Sequence, residues 1–280
     1  MRFIDKSCYL EKEKILVVAD LHLGYEQGLQ NQGVFIPRMQ YEKTKEDLKK
    51  IFEEIGVGKE KTIDEREGIV SGGRIINKKE GKTHNPAARD LVINNEKIKE
   101  IIILGDLKHE FSHASNQEWR EVLDLFMFLE EKCEKITIIK GNHDNYLINI
   151  VKNRENIRLV DYYIKEVGKE KICFIHGHKL FSECLDKSIK RIFLGHMHPA
   201  ISIAKNVKKE IYKCFLVGKW RGKEIVILPS FFPLVEGQDL LIEDTNLAFR
   251  LNLGSFEVYV PIPGEVLKLG KVKDIGRLIG

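Results

Sequence analysis

The chain lacks most of the features that assign a class quickly. Its five cysteines, Cys8, Cys133, Cys173, Cys184 and Cys214, are odd in number and form no Cys-x-x-Cys pair. That pattern offers neither a zinc-ligand spacing nor a disulfide framework, so all five are expected as reduced, mostly buried thiols. No uninterrupted apolar run is long enough to span a membrane. The first residues, Met1 to Lys6, have no apolar core of the kind a secretory signal needs. A cytoplasmic protein with no membrane partner is the expectation. Charge is also nearly balanced. A net +4 in 280 residues permits an anionic substrate without demanding nucleic acid. There is no internal repeat, low-complexity tract or obvious linker. The simplest division is therefore one domain, residues 1–280.

What the chain does have is a set of short, wholly apolar runs, each followed by a polar cluster. Ile15 to Ala19 delivers Asp20-Leu21-His22. Ile101 to Leu104 delivers Gly105-Asp106 and His109. Ile136 to Ile139 delivers Gly141-Asn142-His143-Asp144. Ile172 to Ile175 delivers His176-Gly177-His178, and Ile192 to Leu194 delivers Gly195-His196-Met197-His198. Such runs read as strands buried on both faces. In α/β sheets ligands bind at the carboxyl edge of the strands, where these clusters fall.

Between the runs, Leu48, Ile51, Phe52 and Ile55 recur at helical spacing and end at Gly56. Trp119, Val122, Leu123, Phe126 and Leu129 predict the buried stripe of a second helix. The stretch from Gly24 to Pro37 reads as a polar loop. Residues 58 to about 85 interrupt the rhythm with Gly-, Lys- and Glu-rich sequence, an expected loop or hairpin insertion. Four basic residues against one acidic lie between Arg74 and Lys82. This is either a basic contact for an acidic substrate or a solvated loop. A short helix is expected after Asn85-Pro86.

Of nine histidines, seven lie in the five strand-end clusters; only His84 and His113 do not. Packing alone explains this poorly, because buried imidazoles need partners. Carboxylate oxygen, amide oxygen and imidazole nitrogen are the donors of hard and borderline divalent cations. Asp20, His22, Asp106, Asn142, His176, His196 and His198 can fill two adjacent sites if one carboxylate bridges. With no cysteine in the set, Mn²⁺ leads, and Fe²⁺, Zn²⁺ or Ni²⁺ are alternatives. Two ions roughly 3.5–4 Å apart suit in-line displacement at phosphorus, lowering the pKa of a bound water and neutralising phosphate oxygens.

Asp-x-His, Gly-Asp, Gly-Asn-His-Asp, His-Gly-His and Gly-His-x-His, in this order, resemble the calcineurin-like metallophosphoesterase superfamily. The runs Asp20 to Glu26, Gly105 to Phe111, Gly195 to Ala200 and Leu228 to Leu234 resemble its archaeal branch related to the SbcD nuclease. They also resemble the bacterial ligase-associated DNA-damage-response endonuclease. The resemblance covers nearly the whole chain except the insertion. It implies an α/β fold, a four-layer α/β/β/α sandwich of two mixed sheets. It implies that Asp20, His22 and His198 hold one metal, that Asn142, His176 and His196 hold the other, and that Asp106 bridges them. It makes His143 the group that protonates the leaving oxygen or stabilises charge, with His109 supporting it or contacting the phosphate and Asp144 orienting it. His178 is either an outer-layer residue or structural. Pro229 to Leu234 is either a wall of the site or a turn between strands. The implied function is a dinuclear phosphodiesterase acting on DNA, single-stranded or damaged, in repair, with a helicase as possible partner by family analogy. The alternatives are a phosphodiesterase for a small cyclic-nucleotide or nucleotide diester, and a metal-free protein-binding scaffold.

Overall fold

A computed structural model of the chain describes residues 1–57, 60–61, 92–93, 97–111, 113–205, 208–241 and 247–279. The chain opens with β1 (Arg2–Ile4), β2 (Ser7–Leu10), β3 (Ile15–Val18), α1 (Tyr25–Asn31) and α2 (Gln40–Ile55). The short strands β4 (Glu60–Lys61) and β5 (Val92–Ile93) pair antiparallel. β4 falls within the expected insertion at 58 to about 85, whose basic stretch and Asn85-Pro86 helix lie outside the described residues. There follow β6 (Ile98–Ile103), α3 (Asn116–Glu130), β7 (Cys133–Ile139), α4 (Ile148–Val151), β8 (Ile157–Val160), β9 (Tyr162–Val167), β10 (Glu170–Ile175) and β11 (Ile189–Leu194). The rest comprises β12 (Pro199–Lys205), β13 (Lys208–Lys213), β14 (Phe215–Trp220), β15 (Lys223–Ile227), β16 (Gln238–Asp239), β17 (Glu257–Ile262), β18 (Glu265–Lys271) and α5 (Val272–Ile279).

Two mixed sheets carry the architecture. The first has the order β1-β2-β3-β6-β7-β8, and the second β18-β17-β14-β15-β11-β10-β9. β3, β6, β7 and β8 run parallel, as do β15, β11 and β10; the outer strands pair antiparallel. The period-2 geometry of a strand sorts its side chains between layers. In β3, Ile15 and Val17 join Ile102, Phe174, Phe193 and Val226 in a cluster between the sheets. Leu16 and Val18 face the other way, onto Leu48, Ile51 and Phe52 of α2 and Val122, Leu125 and Phe126 of α3. The outer face of the second sheet packs on Val272 and Ile275 of α5, with Phe249 and Phe256. The α/β four-layer arrangement is therefore present, with a thin outer layer on the second sheet.

Three expectations are corrected here. The polar stretch after β3 contains α1. The buried face of α3 runs through Glu118, Val122, Leu125, Phe126 and Leu129, while Trp119 is 42% exposed. The face begins one residue earlier because Ser115 caps the helix and its carboxylate partner, Glu118, points inward. Cys173 and Cys184 are disulfide-bonded, joining β10 to the turn at Ser182–Leu185. The fold brings them together with no motif to announce it; Cys8, Cys133 and Cys214 are free and buried, as expected. No described helix is long and apolar enough to cross a membrane.

Candidate metal centre

The carboxyl ends of β3, β6 and β7 in one sheet, and of β10 and β11 in the other, meet at one edge of the sandwich. They bring all seven expected ligands together. Oxygen and nitrogen atoms of Asp20, His22 and His198 lie within 4.8 Å of one another, and so do those of Asp106, His176 and His196. Asn142 joins the second group, its Oδ1 3.1 Å from His176 Nε2. Asp106 lies between the groups: its Oδ2 is 3.2 Å from His176 Nε2 and 3.8 Å from His22 Nε2.

The turns that present these groups are strained. Asp20, His22, Asp106, His196 and His198 all have φ between 48° and 66°, in the left-handed region that non-glycine residues avoid. Each such residue costs roughly 1–3 kcal/mol, and this strain collects at functional sites. Glycine serves where a side chain would not fit. A Cβ on Gly105, whose φ is +84°, would sit 2.4 Å from His176 Nδ1, and one on Gly141 would sit 2.1 Å from Asp106 Oδ1. Backbone amides fix the carboxylates: His143 N–H donates to Asp106 Oδ1 at 3.0 Å, and His196 N–H to Asp20 Oδ2 at 3.0 Å.

The chemistry of the converging atoms asks for a cation. His176 Nδ1 donates to the Leu104 carbonyl at 2.7 Å, which leaves Nε2 as a lone pair in the neutral ring. That lone pair faces Asp106 Oδ2, Asn142 Oδ1 and His196 Nδ1, the last at 3.0 Å. In the other group His22 Nε2 faces His198 Nε2 at 3.3 Å. Acceptors this close repel unless positive charge lies among them. The electrostatics agree. Burial lowers the His22 pKa to about 3, so it stays neutral and able to ligate. Burial also opposes charge on His176, yet the hydrogen bond and charge of Asp106, with Asp20 behind, lift it to about 9. Without a metal that charge is a proton on Nε2, facing Asp106 Oδ2 and Asn142 Oδ1 where a cation would otherwise sit. Asp106 itself is held well below the usual carboxylate range: burial acts against this, and His176 and its neighbours outweigh it.

His143 stands beside the two groups. Its Nδ1 donates to the His109 carbonyl, so Nε2 faces the cleft, 3.9 Å from Asp106 Oδ2. The His109 ring lies 5.5 Å from that of His143 and edge-on to Tyr25 at 4.8 Å. Asp144 is placed otherwise than expected. It is buried and accepts from the amides of Leu107 at 2.9 Å and Gly141 at 2.8 Å, which ties the β6 and β7 turns together. The His109 carbonyl, not Asp144, meets the His143 ring. His178 has a buried Nδ1 with no hydrogen-bond partner among the described residues, and its ring is 6.1 Å from that of His196. The open cleft has a volume of about 420 Å³ and is lined by His22, Asp106, Asn142, His143, His196 and His198, with Val235 and Gln238 on its far wall.

Several residues that support the site have no signature in the sequence. Glu118 is buried and accepts from the amides of His109 at 2.9 Å, Glu110 at 2.6 Å and Ser115 at 2.6 Å. Ser115-x-x-Glu118 is legible as a capping box, but its second use as the clamp of the His109 loop is not. Gln40, at the start of α2, donates to the carbonyls of Leu21 at 2.8 Å and His22 at 2.7 Å. The segment after β15 is a wall as well as a turn. Phe232 N–H donates to Asp20 O at 3.1 Å, and its ring lies 5.6 Å from that of His22.

The chain is similar to known proteins in family and fold. A family model described as calcineurin-like phosphoesterase matches residues 13–217. Comparison with curated proteins finds no match. Among solved structures, the Pseudomonas putida nuclease MPE is similar over 95% of this chain and 92% of its own, at 17% identity and a TM-score of 0.55. A Vps29 variant from Entamoeba histolytica aligns over 66% of this chain and 92% of its own, at 14% identity and a TM-score of 0.32. The phosphoesterase Yfce from E. coli covers 62% of this chain and 84% of its own, at 15% identity and the same TM-score of 0.32.

Proposed function

The chain belongs to the calcineurin-like phosphoesterase family, and from that premise we propose that it is a two-metal phosphodiesterase acting on nucleic acid. The observation that carries the reading is the shared carboxylate: Asp106 stands between two converging sets of acceptor atoms, with His143 Nε2 alongside it. Asp20, His22 and His198 would hold one ion, and Asn142, His176 and His196 the other. Both sheets supply ligands, so we take residues 1–280 as one catalytic unit. The donors are oxygen and nitrogen only, which suits Mn²⁺ and admits Fe²⁺, Zn²⁺ or Ni²⁺. When bound, such a pair supplies charge neutralisation at the phosphate oxygens and an acidified water for in-line displacement.

The protein's own groups do the rest. The His109 carbonyl orients His143 through Nδ1–H, and in the imidazolium form of the ring the second N–H, on Nε2, is the proton passed to the departing oxygen. His109 fills the space beside it, and Asp144 keeps the two loops in register. The Leu104 carbonyl fixes the tautomer of His176, and Gln40 holds the Asp20–His22 turn through its carbonyls. Nucleic acid is the substrate class to test first because the Pseudomonas putida protein of the same fold is a nuclease. Within that class, single-stranded or damaged DNA is our leading candidate.

The test is hydrolysis of bis-p-nitrophenyl phosphate and of single-stranded, duplex and RNA oligonucleotides across a Mn²⁺ series, with His143→Asn as control. The variant should be slower by roughly 10²–10⁴-fold on the diester. An unchanged rate would remove His143 from the reaction. Activity on the diester with none on any oligonucleotide would leave a phosphodiesterase for small substrates.

A further inference from the structure

Two exposed aromatic rings stand on the loops that carry His109 and the cleft-lining His143. Phe111 is 58% exposed, and its ring centroid lies 3.7 Å from that of His143 at an interplanar angle of 31°. Tyr146 is 47% exposed and stacks on His113 at 4.6 Å and 18°. They come from the loops after β6 and β7, the same loops that present Asp106 and His143. A side-chain hydrogen bond joins those loops, from Asn145 Nδ2 to the Phe111 carbonyl at 3.1 Å.

The backbone near these rings is constrained. Tyr146 has φ 66°, which a bulky residue adopts only under constraint. The Phe111 loop is clamped from below by Glu118 through the amides of His109, Glu110 and Ser115. Exposed rings leave burial free energy to be gained by whatever covers them, and neighbouring exposed rings beside a site mark an interaction surface. Flat rings beside a phosphodiester site match one occupant by chemistry, the face of a nucleobase.

We propose that Phe111 and the His113–Tyr146 pair form a base-stacking shelf that receives an unpaired nucleotide next to the scissile phosphate. The proposal rests on the nucleic-acid reading above and sharpens it to single-stranded or flipped-out substrate. Bases inside a duplex have both faces covered by their neighbours and cannot reach a ring without unstacking. Phe111 touches the ring of His143, so the base it receives belongs to a nucleotide flanking the bond that is cut. Stacking uses the π face common to all four bases, so the shelf selects strandedness over sequence.

The experiment compares end-labelled single-stranded oligonucleotides in Mn²⁺ that are identical except for one tetrahydrofuran abasic residue. Cleavage is read bond by bond on a sequencing gel. In the wild-type protein, cleavage at the bonds flanking the abasic residue should fall roughly ten- to hundred-fold against the same bonds in the intact strand. In Phe111→Leu and Tyr146→Leu that intact-to-abasic ratio should shrink towards one, whatever the substitutions do to the overall rate. Tyr146→Phe should keep it. Brisk oligonucleotide cleavage with no abasic effect in the wild type overturns the shelf and leaves the nuclease intact. The same holds if both Leu variants keep the full ratio. Hydrolysis of bis-p-nitrophenyl phosphate with no cleavage of any oligonucleotide overturns the nucleic-acid reading, and the shelf with it.

Discussion

Removing the Glu118 carboxylate should destabilise the protein more than its position on a helix suggests. Its Oε1 accepts from His109 and Glu110, and its Oε2 accepts from Ser115. The side chain is fully buried, so Glu118→Ala removes the acceptor of three part-buried amides at once. A hydrogen bond to a charged group is worth about 1.5–3 kcal/mol net, and an unsatisfied buried partner adds desolvation. Two of the three amides share one oxygen, so the contributions do not add fully, and a loss of about 3–5 kcal/mol is expected. That is a large part of the 5–15 kcal/mol or so that holds a typical domain together. Glu118→Gln keeps an oxygen for His109 and Glu110 but turns an amide group towards Ser115, and should lose roughly half as much. The assay is urea denaturation of both variants, with hydrogen exchange at the three amides. Exchange there should accelerate in Glu118→Ala ahead of global unfolding. The loop also carries the carbonyl that orients His143, so phosphodiester hydrolysis should fall at least about ten-fold. Stability within about 0.5 kcal/mol of wild type would place Glu118 among ordinary surface positions and refute the clamp.

Gly24→Ala should be costly for two reasons at once: its φ is +80°, and a Cβ there would sit 2.2 Å from Glu118 Cγ. A loss above about 2 kcal/mol by denaturation is expected, and a neutral result would contradict the close approach. Glu121 is raised from 4.5 to about 7, by burial first, with the Glu26 charge adding to it. A raised carboxyl favours the folded state below its unfolded pKa, and that stability is lost as pH rises through the folded pKa. Glu121→Gln should therefore gain on wild type between about pH 4.5 and 7 and stay level above; a difference that is flat across that window contradicts the shift. Reducing the Cys173–Cys184 bond frees a loop of sequence separation 11. Loop-closure entropy puts the loss at about 3 kcal/mol, read as a shift in the denaturation midpoint with and without a phosphine reductant; no shift would mean that the bond adds nothing in solution.

Much of the site was legible because its signals are local. Ile15–Val18 and the last residues of Ile98–Ile103 and Cys133–Ile139 are buried and apolar on both faces, with Glu100 and Thr137 the buried polar residues further back in the latter two strands. Their ends show as abrupt changes to Asp, Asn and His. The helix of Leu48, Ile51 and Phe52 ends at Gly56 as expected, and the structure gives that glycine a φ of 89°, a left-handed cap. What could not be read depends on contacts distant in sequence. The Cys173–Cys184 bond requires β10 to lie against the turn that follows it. The exposure of Trp119 depends on which face of α3 meets the sheet, and a capping glutamate took the inward place. Asp144 sits next to His143 in the chain, which suggested a partner, but its carboxylate turns back to three amides of the β6 and β7 loops. α1 is seven residues long and has only Glu26 and Gly28 buried, so it presents no apolar period to recognise.

The central claim is that Asp106 joins two ions held by side chains from both sheets. Its most direct test is Mn²⁺ titration of metal-stripped protein, followed by electron paramagnetic resonance of the loaded form. Two Mn²⁺ per chain with the spectrum of an exchange-coupled pair are predicted in the wild type. Asp106→Asn should lose the coupling. One ion per chain, or two with independent spectra, would contradict the shared carboxylate and the two-metal mechanism built on it.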